Sequence, residues 1–284
     1  VVRHRVPRHR QQFIEVVRQL SPQTLTHAAL LVACEEYPRL DPEEVLRRLA
    51  AMAQRAVSRP HDAAEASRTR SLIAAVNSVL FEDEGLRGDD KDYYEPDNSF
   101  LNKVLERKRG IPISLSVLYL EVARRAGLEA HGIGLPGHFI VGVQDGDDWL
   151  YVDPFHRGRH MSVADCQHLV RTLHAGTLAW EPEFLEPWSA RRILARVLYN
   201  LKNVYLRGMQ FDKALWVQHL LIELTPDEPR ELRDRGLILA QLKRYGDARA
   251  DLRQYLETSP ERPDDAEEIE YDLERLRRLH LMLN

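Results

Sequence analysis

The C-terminal third of the chain aligns with itself at an offset of 34 residues, and no other feature restricts its fold so tightly. Arg196 meets Arg230, Leu198 meets Leu232, Ala214 meets Ala248, Glu223 meets Glu257, Pro226 meets Pro260 and Pro229 meets Pro263; Phe211 against Tyr245 and Thr225 against Ser259 are conservative pairs. A period of this length holds one helix pair, which cannot bury its apolar face alone, so successive pairs must stack. The spacing predicts helices over 191–207, 211–224, 230–242 and 245–258, and a capping helix over about 266–282. Ala214 and Ala248 fall where paired helices approach closely, and a proline follows each second helix.

Upstream, residues 10–82 read as four helices, at about 10–19, 22–36, 42–57 and 63–82, two of them opened by Ser21-Pro22 and Asp41-Pro42. A polar stretch from Glu82 to Asp92 reads as a loop. Asp97-Asn98 can cap a further helix that runs to Arg107 and ends at Gly110. From Pro112 to Ala126 apolar side chains surround the cylinder, which implies a helix buried on most sides. Two strand patterns follow, over 131–143 and 149–152, flanking the turn residues Asp145-Gly146-Asp147-Asp148. Pairing Gln144 with Trp149 sets Val141 against Val152 and Val143 against Leu150 on one apolar face. The same register puts Ile140 opposite Asp153 on the other face and brings His138 within reach of Asp153.

A helix N-terminus, a strand histidine and a strand aspartate thus follow one another between Arg109 and Asp153. This is the layout of a papain-like catalytic triad. In such a triad a cysteine at the helix start is held as thiolate by the N-terminal dipole, and here that turn carries Pro112, Ile113 and Ser114. Ser114 could replace the thiol only by passing its proton to His138 during attack, with backbone N–H groups facing the developing oxyanion. Its alternative role is to cap or solvate the helix start. Ser116, roughly 200° further round the helix, cannot share the direction of Ser114. His138 and Asp153 have a structural alternative too, as buried polar groups that satisfy each other.

His156 and His160 could join His138 around a divalent ion. Arg157 and Arg159 argue against a cation there, and offer instead to hold an anionic ligand or a substrate carboxylate. Accordingly neither a metal nor a cofactor is expected. The 34-residue period resembles the tetratricopeptide repeat, with one departure: Lys202 stands where the second unit has Gly236.

Asn98-Ser99-Phe100-Leu101, Arg109-Gly110-Ile111-Pro112-Ile113-Ser114-Leu115-Ser116, Pro136-Gly137-His138-Phe139 and Asp153-Pro154-Phe155 together resemble the transglutaminase-like core of the bacterial SirB family. That resemblance implies an α+β, mostly helical fold with a papain-like core and a small antiparallel sheet, then a helical-repeat module. It implies an N-terminal helical region over 1–92 packing on the core, the core over 93–187, and two repeats plus a capping helix over 188–284. In catalytic members of the wider superfamily cysteine attacks an acyl group, histidine activates it and aspartate orients the histidine; by residue type only His138 and Asp153 carry over. Three functions stay open. The first is a pseudo-enzyme or regulatory protein that binds a polypeptide partner through cleft and repeats. The second is a serine-dependent peptide hydrolase or acyl transferase using Ser114, His138 and Asp153, and the third an adaptor working through the repeat groove alone.

Composition narrows the remainder. The 284 residues are 44% apolar and 30% charged with a net charge of −4, which offers nucleic acid no overall electrostatic footprint. The basic opening, with Arg3, Arg5, Arg8 and Arg10, reads as a solvated arm. No run of 18 apolar residues is present to span a bilayer, and Cys34 and Cys166 are too few for a disulfide framework, which suits a reducing cytoplasm.

Overall fold

A computed structural model describes residues 7–59 and 67–283, so Arg3 and Arg5 of the basic opening lie outside the described residues. Arg8 and Arg10 belong instead to the first helix, α1 (Arg8–Arg18), where the Arg10 guanidinium grips Glu35 through two hydrogen bonds of 2.8 and 2.7 Å. Contacts divide the chain into two compact units, Val1–Val197 and Leu198–Asn284.

In the first unit, α1 is followed by α2 (Leu25–Glu36), α3 (Pro42–Val57) and α4 (Arg68–Asn77). Asp41 caps α3 by accepting from the Glu43 N–H, with Pro42 at the first helical position, as its sequence demands. Of the fourth helix, the expected first residues 63–66 lie outside the described residues. Its described part starts at Arg68 and widens at Ser78 into a π-helical turn, Ser78–Asp83. The loop expected after it holds a strand, β1 (Arg87–Gly88), which pairs in parallel with β2 (Arg109–Gly110). Between them lie a 3-10 turn, Pro96–Asn98, and α5 (Leu101–Arg107). Asn98 does not cap α5, whose cap position is Phe100; its buried amide bonds the Asp89 carboxylate and the Asp92 carbonyl instead. That helix ends at Lys108, in the left-handed conformation with φ 60°, two residues before Gly110.

The next helix, α6 (Pro112–Arg125), is buried from Pro112 to Ala123 without a break. Its wide apolar surface is explained by its neighbours, for α2, α3, α4, α5 and the strands β3 and β4 all pack on it. The sheet has the order β3-β4-β5-β6, all antiparallel, from Ala130–Ile133, Ile140–Asp145, Asp148–Asp153 and Arg159–Met161. The predicted 131–143 strand is therefore two strands. Gly134, Pro136 and Gly137 interrupt it, and the chain reverses so that β3 pairs back on β4. The β4–β5 hairpin has the register read from its pattern: Val141 faces Val152, Val143 faces Leu150 and Gln144 faces Trp149. A helix, α7 (Val163–Leu173), follows β6 and buries Cys166 and Val170 in a cluster with Ile133, Ile140 and Tyr151.

The division between units falls within α8 (Ala190–Arg207). In the second unit, α9 (Phe211–Leu224), α10 (Arg230–Gln241), α11 (Tyr245–Thr258) and α12 (Ala266–Leu283) match the helices expected from the repeat, within a residue or two at their ends. Both Ala214 and Ala248 are fully buried. A methyl group on Gly236 would meet Leu252 at 2.8 Å, so the helices touch there at glycine distance. At the corresponding place in the first repeat, Lys202 needs room and gets polar company: its buried ammonium bonds Gln218 at 2.9 Å and Asp234 at 2.7 Å. The departure from the repeat pattern is thus occupied by a cation that ties α8 to α9 and α10.

Candidate functional site

Two turns place the polar residues of the sheet. The His138 N–H bonds the Leu135 carbonyl at 3.0 Å, closing a four-residue turn with Pro136 second and Gly137 third. Gly137 has φ 76°, the positive value a type II turn requires at that position, and the proline supplies the fixed φ before it. This turn delivers His138 to the start of β4. At the end of β5, Asp153 makes its own turn: its Oδ1 accepts from the Phe155 and His156 N–H groups at 2.9 and 3.3 Å. Arg157 and Gly158 then take positive φ, and the Gly158 N–H returns to the Asp153 carbonyl. The result folds His156 back over the aspartate three residues before it.

The three side chains converge on one oxygen. Asp153 Oδ2 lies 2.9 Å from His138 Nε2 and 2.7 Å from His156 Nδ1. Asp153 is 1% exposed and His138 7%, while half of the His156 side chain faces solvent. Burial pushes the Asp153 carboxyl up, but the hydrogen bonds and charge of the two imidazoles outweigh it and hold the group far below the usual carboxylate range. The hydrogen bond to Asp153 raises His156 above its ordinary value against the opposing pull of burial. An ionised carboxylate only accepts, so His138 Nε2 and His156 Nδ1 are the donors, and His138 Nδ1 is the nitrogen left for another partner. Phe155 stands edge-on to both rings, with centroids 5.9 Å from His138 and 5.2 Å from His156. Its own ring is seated on Gly88, where a methyl group would approach it to 2.7 Å.

Ser114 turns elsewhere. Its fully buried hydroxyl lies 2.6 Å from the Asn98 carbonyl and 3.1 Å from that of Ile111, and it accepts from the Ile111 N–H at 3.1 Å. As the third residue of α6 it reaches back to the cap position, the contribution such a side chain makes to a capping box. Gly110 leaves it the space, since a methyl group there would sit 2.8 Å from the Ser114 oxygen. Ser116 faces the sheet, 3.4 Å from the carbonyl of Phe139, the residue after His138. The hydroxyl nearer the histidine strand is therefore that of Ser116, two residues beyond the triad order.

Of the three histidines weighed from sequence as cation ligands and set aside, His160 stands apart as an exposed residue of β6, paired with Val152, whereas Asp153 lies beside His138 and His156. The two arginines bind elsewhere, Arg157 to the Phe81 carbonyl and Arg159 to Asp165, both at 3.2 Å. Sequence reasoning also missed the shell around the start of α6, where Asp89 and Asn98 are buried together. The signal available was the unbroken Asp97-Asn98-Ser99 polarity ahead of an apolar helix, which reads equally well as a cap.

The model of the transglutaminase-like superfamily matches residues 43–199, and a tetratricopeptide-repeat model matches 201–274. A UPF0162 protein of Xylella fastidiosa is 38% identical over 239 residues, covering 83% of this chain and 84% of the relative. A UPF0162 protein of Vibrio cholerae is 31% identical over 199 residues, covering 68% and 72%. F-box only protein 21 of Mus musculus is 35% identical over 107 residues, 35% of this chain and 17% of that protein. No described helix is long and apolar enough to cross a membrane. On this coverage the chain belongs to the UPF0162 family, joining a transglutaminase-like domain to tetratricopeptide repeats.

Proposed function

We propose that this chain is a pseudo-enzyme that binds a polypeptide partner, its transglutaminase-like core keeping a histidine–aspartate pair without a nucleophile. The observation that carries the reading is the Ser114 hydroxyl, whose proton is directed to the Asn98 or Ile111 carbonyl and whose oxygen holds the cap N–H of α6. A serine so engaged has no proton to give His138 without breaking the helix start. Neither cysteine supplies a substitute: both are buried, and burial pushes the Cys34 thiol up to about 11 and the Cys166 thiol up to about 12, where thiolate at neutral pH is negligible. Polypeptide binding is supported by the repeats. In the second unit a cavity of about 320 Å³ is lined by Leu206, Phe211, Leu237 and Ile238, with Lys202 and Asp234 at its polar side, a fit for an apolar side chain of an extended segment.

The test has two arms. Wild-type protein treated with a fluorophosphonate is expected to remain unlabelled, and Ser114→Cys to alkylate slowly at neutral pH because the sulfur would sit buried against the Asn98 carbonyl. Stoichiometric labelling of Ser114, abolished by His138→Ala, would overturn the reading in favour of the serine hydrolase. In the second arm, cross-linking in extract of the source cells is expected to capture a protein with the wild type and to lose it with Leu237→Asp.

A further inference from the structure

We propose that His138, Asp153 and His156 form a binding site for a zinc-class divalent metal ion. One potential ligand atom from each of the three residues lies within 4.8 Å of the other two, and Asp153 Oδ2 is 2.9 Å from His138 Nε2 and 2.7 Å from His156 Nδ1. Two imidazoles and one carboxylate are a donor set for zinc and its neighbours, which favour nitrogen ligands, and not for calcium or magnesium, which favour oxygen. Three protein ligands leave a fourth position open, and the half-exposed His156 keeps that side in contact with solvent.

The site is built and not merely a meeting of side chains. Asp153 is fixed by the bonds from the Phe155 and His156 N–H groups to Oδ1, which hold Oδ2 towards the two imidazoles. A carboxylate held in this way from behind is what orients a metal-binding oxygen. His138 is held by its turn at the mouth of β4 and by the Phe155 ring. Zinc bonds of about 2.0 to 2.1 Å in a tetrahedron put ligand atoms about 3.3 Å apart. The two nitrogen–oxygen separations, 2.9 and 2.7 Å, need open by only a few tenths of an ångström, and the more exposed His156 can swing to close the nitrogen–nitrogen distance. Arg157 and Arg159, two positive charges beside His156 in the chain, would repel a cation if they faced it. Arg157 bonds the Phe81 carbonyl and Arg159 pairs with Asp165, so neither side chain occupies the place of the ion; the Arg159 charge still reaches His156 and is opposed there by those of Asp153 and Asp90. On binding, the ion would replace the two N–H hydrogen bonds to Oδ2, His138 carrying its proton on Nδ1 and His156 on Nε2 towards water.

The experiment is a zinc titration of the full chain, stripped with a chelator, in competition with a chromophoric chelator at pH 7.5, using wild type, His156→Ala and His160→Ala. One equivalent is expected for wild type and His160→Ala with equal affinity, and at least tenfold weaker binding for His156→Ala. Cobalt(II) gives a second readout: absorption bands of a low-coordinate site in wild type, lost in His156→Ala although circular dichroism shows that variant folded. No stoichiometric binding by wild type, the same affinity in all three proteins, or equal weakening in both variants would each overturn the proposal.

Discussion

Replacing Lys202 by methionine should loosen the repeats more than any surface substitution there. The ammonium is buried, 2.7 Å from Asp234, 2.9 Å from Gln218 and 3.9 Å from Glu231, and Gln218 in turn donates to the Glu231 carboxylate and carbonyl. Removing one partner of a wholly buried pair costs about 3 to 5 kcal/mol, because the other charge is left without compensation. Two features reduce that figure here. The Asp234 side chain is 28% exposed and is also gripped by Arg233, so water and the guanidinium take up part of the loss. Methionine keeps most of the aliphatic volume, which removes most of any cavity cost. What remains is an unpartnered Gln218 oxygen and a Glu231 carboxylate stripped of its nearby cation, together about 2 to 3 kcal/mol. With about 1.4 kcal/mol per factor of ten, exchange through local opening should accelerate about 30- to 150-fold. Hydrogen exchange read by mass spectrometry on the full chain can locate the effect, since peptides from α8 to α10 should change and those from β3 to β5 should not. Acceleration of less than about threefold in the repeat peptides would refute the claim that this network holds the first repeat to the second.

Two further outcomes follow from packing and charge. Ala248→Leu should lower the melting temperature by overpacking a fully buried contact, at a cost of about 1 to 3 kcal/mol, and an unchanged melting curve would show that α10 and α11 do not touch there. Burial would raise the Asp89 carboxyl, but hydrogen bonds from the Asp92 N–H, the Asn98 amide and the Lys91 N–H, with the Arg109 charge, outweigh it and hold the group below its ordinary value. Folded protein then binds fewer protons than unfolded, so this carboxylate stabilises the fold above pH about 4 and its contribution is lost as pH falls below that; Asp89→Asn should flatten the acid limb of a melting-temperature profile, and an unaltered limb would refute the assignment.

The parts of this fold that sequence reveals are those in which one local rule governs a whole element. The β4–β5 register followed from alternation along both strands and a Gly-Asp turn, and with it the His138–Asp153 contact. Repeat helices followed from the offset, because each boundary was marked twice. Local rules failed where a distant segment decided the outcome. A continuous strand pattern over 131–143 hid the Leu135–His138 turn, whose glycine and proline are also compatible with an edge strand. Asn98 looked like a cap because nothing nearby announced that Asp89, nine residues earlier, would be buried against it.

Ser114 shows the same limit at the site itself. Its helical position was legible, and position alone permits either a nucleophile or a cap. In the structure the hydroxyl meets the carbonyls of Asn98, sixteen residues upstream, and Ile111, and Gly110, whose missing side chain leaves room, lets it turn inward. A cysteine in that direction would face a carbonyl within the core and not the imidazole, so restoring the thiol would not by itself restore the triad. The histidine and aspartate, held by turns that do not depend on Ser114, keep their geometry regardless. That independence leaves the same two residues available to the proposed metal site whatever Ser114 does, with His156 already on the Asp153 carboxylate as the third member of the set.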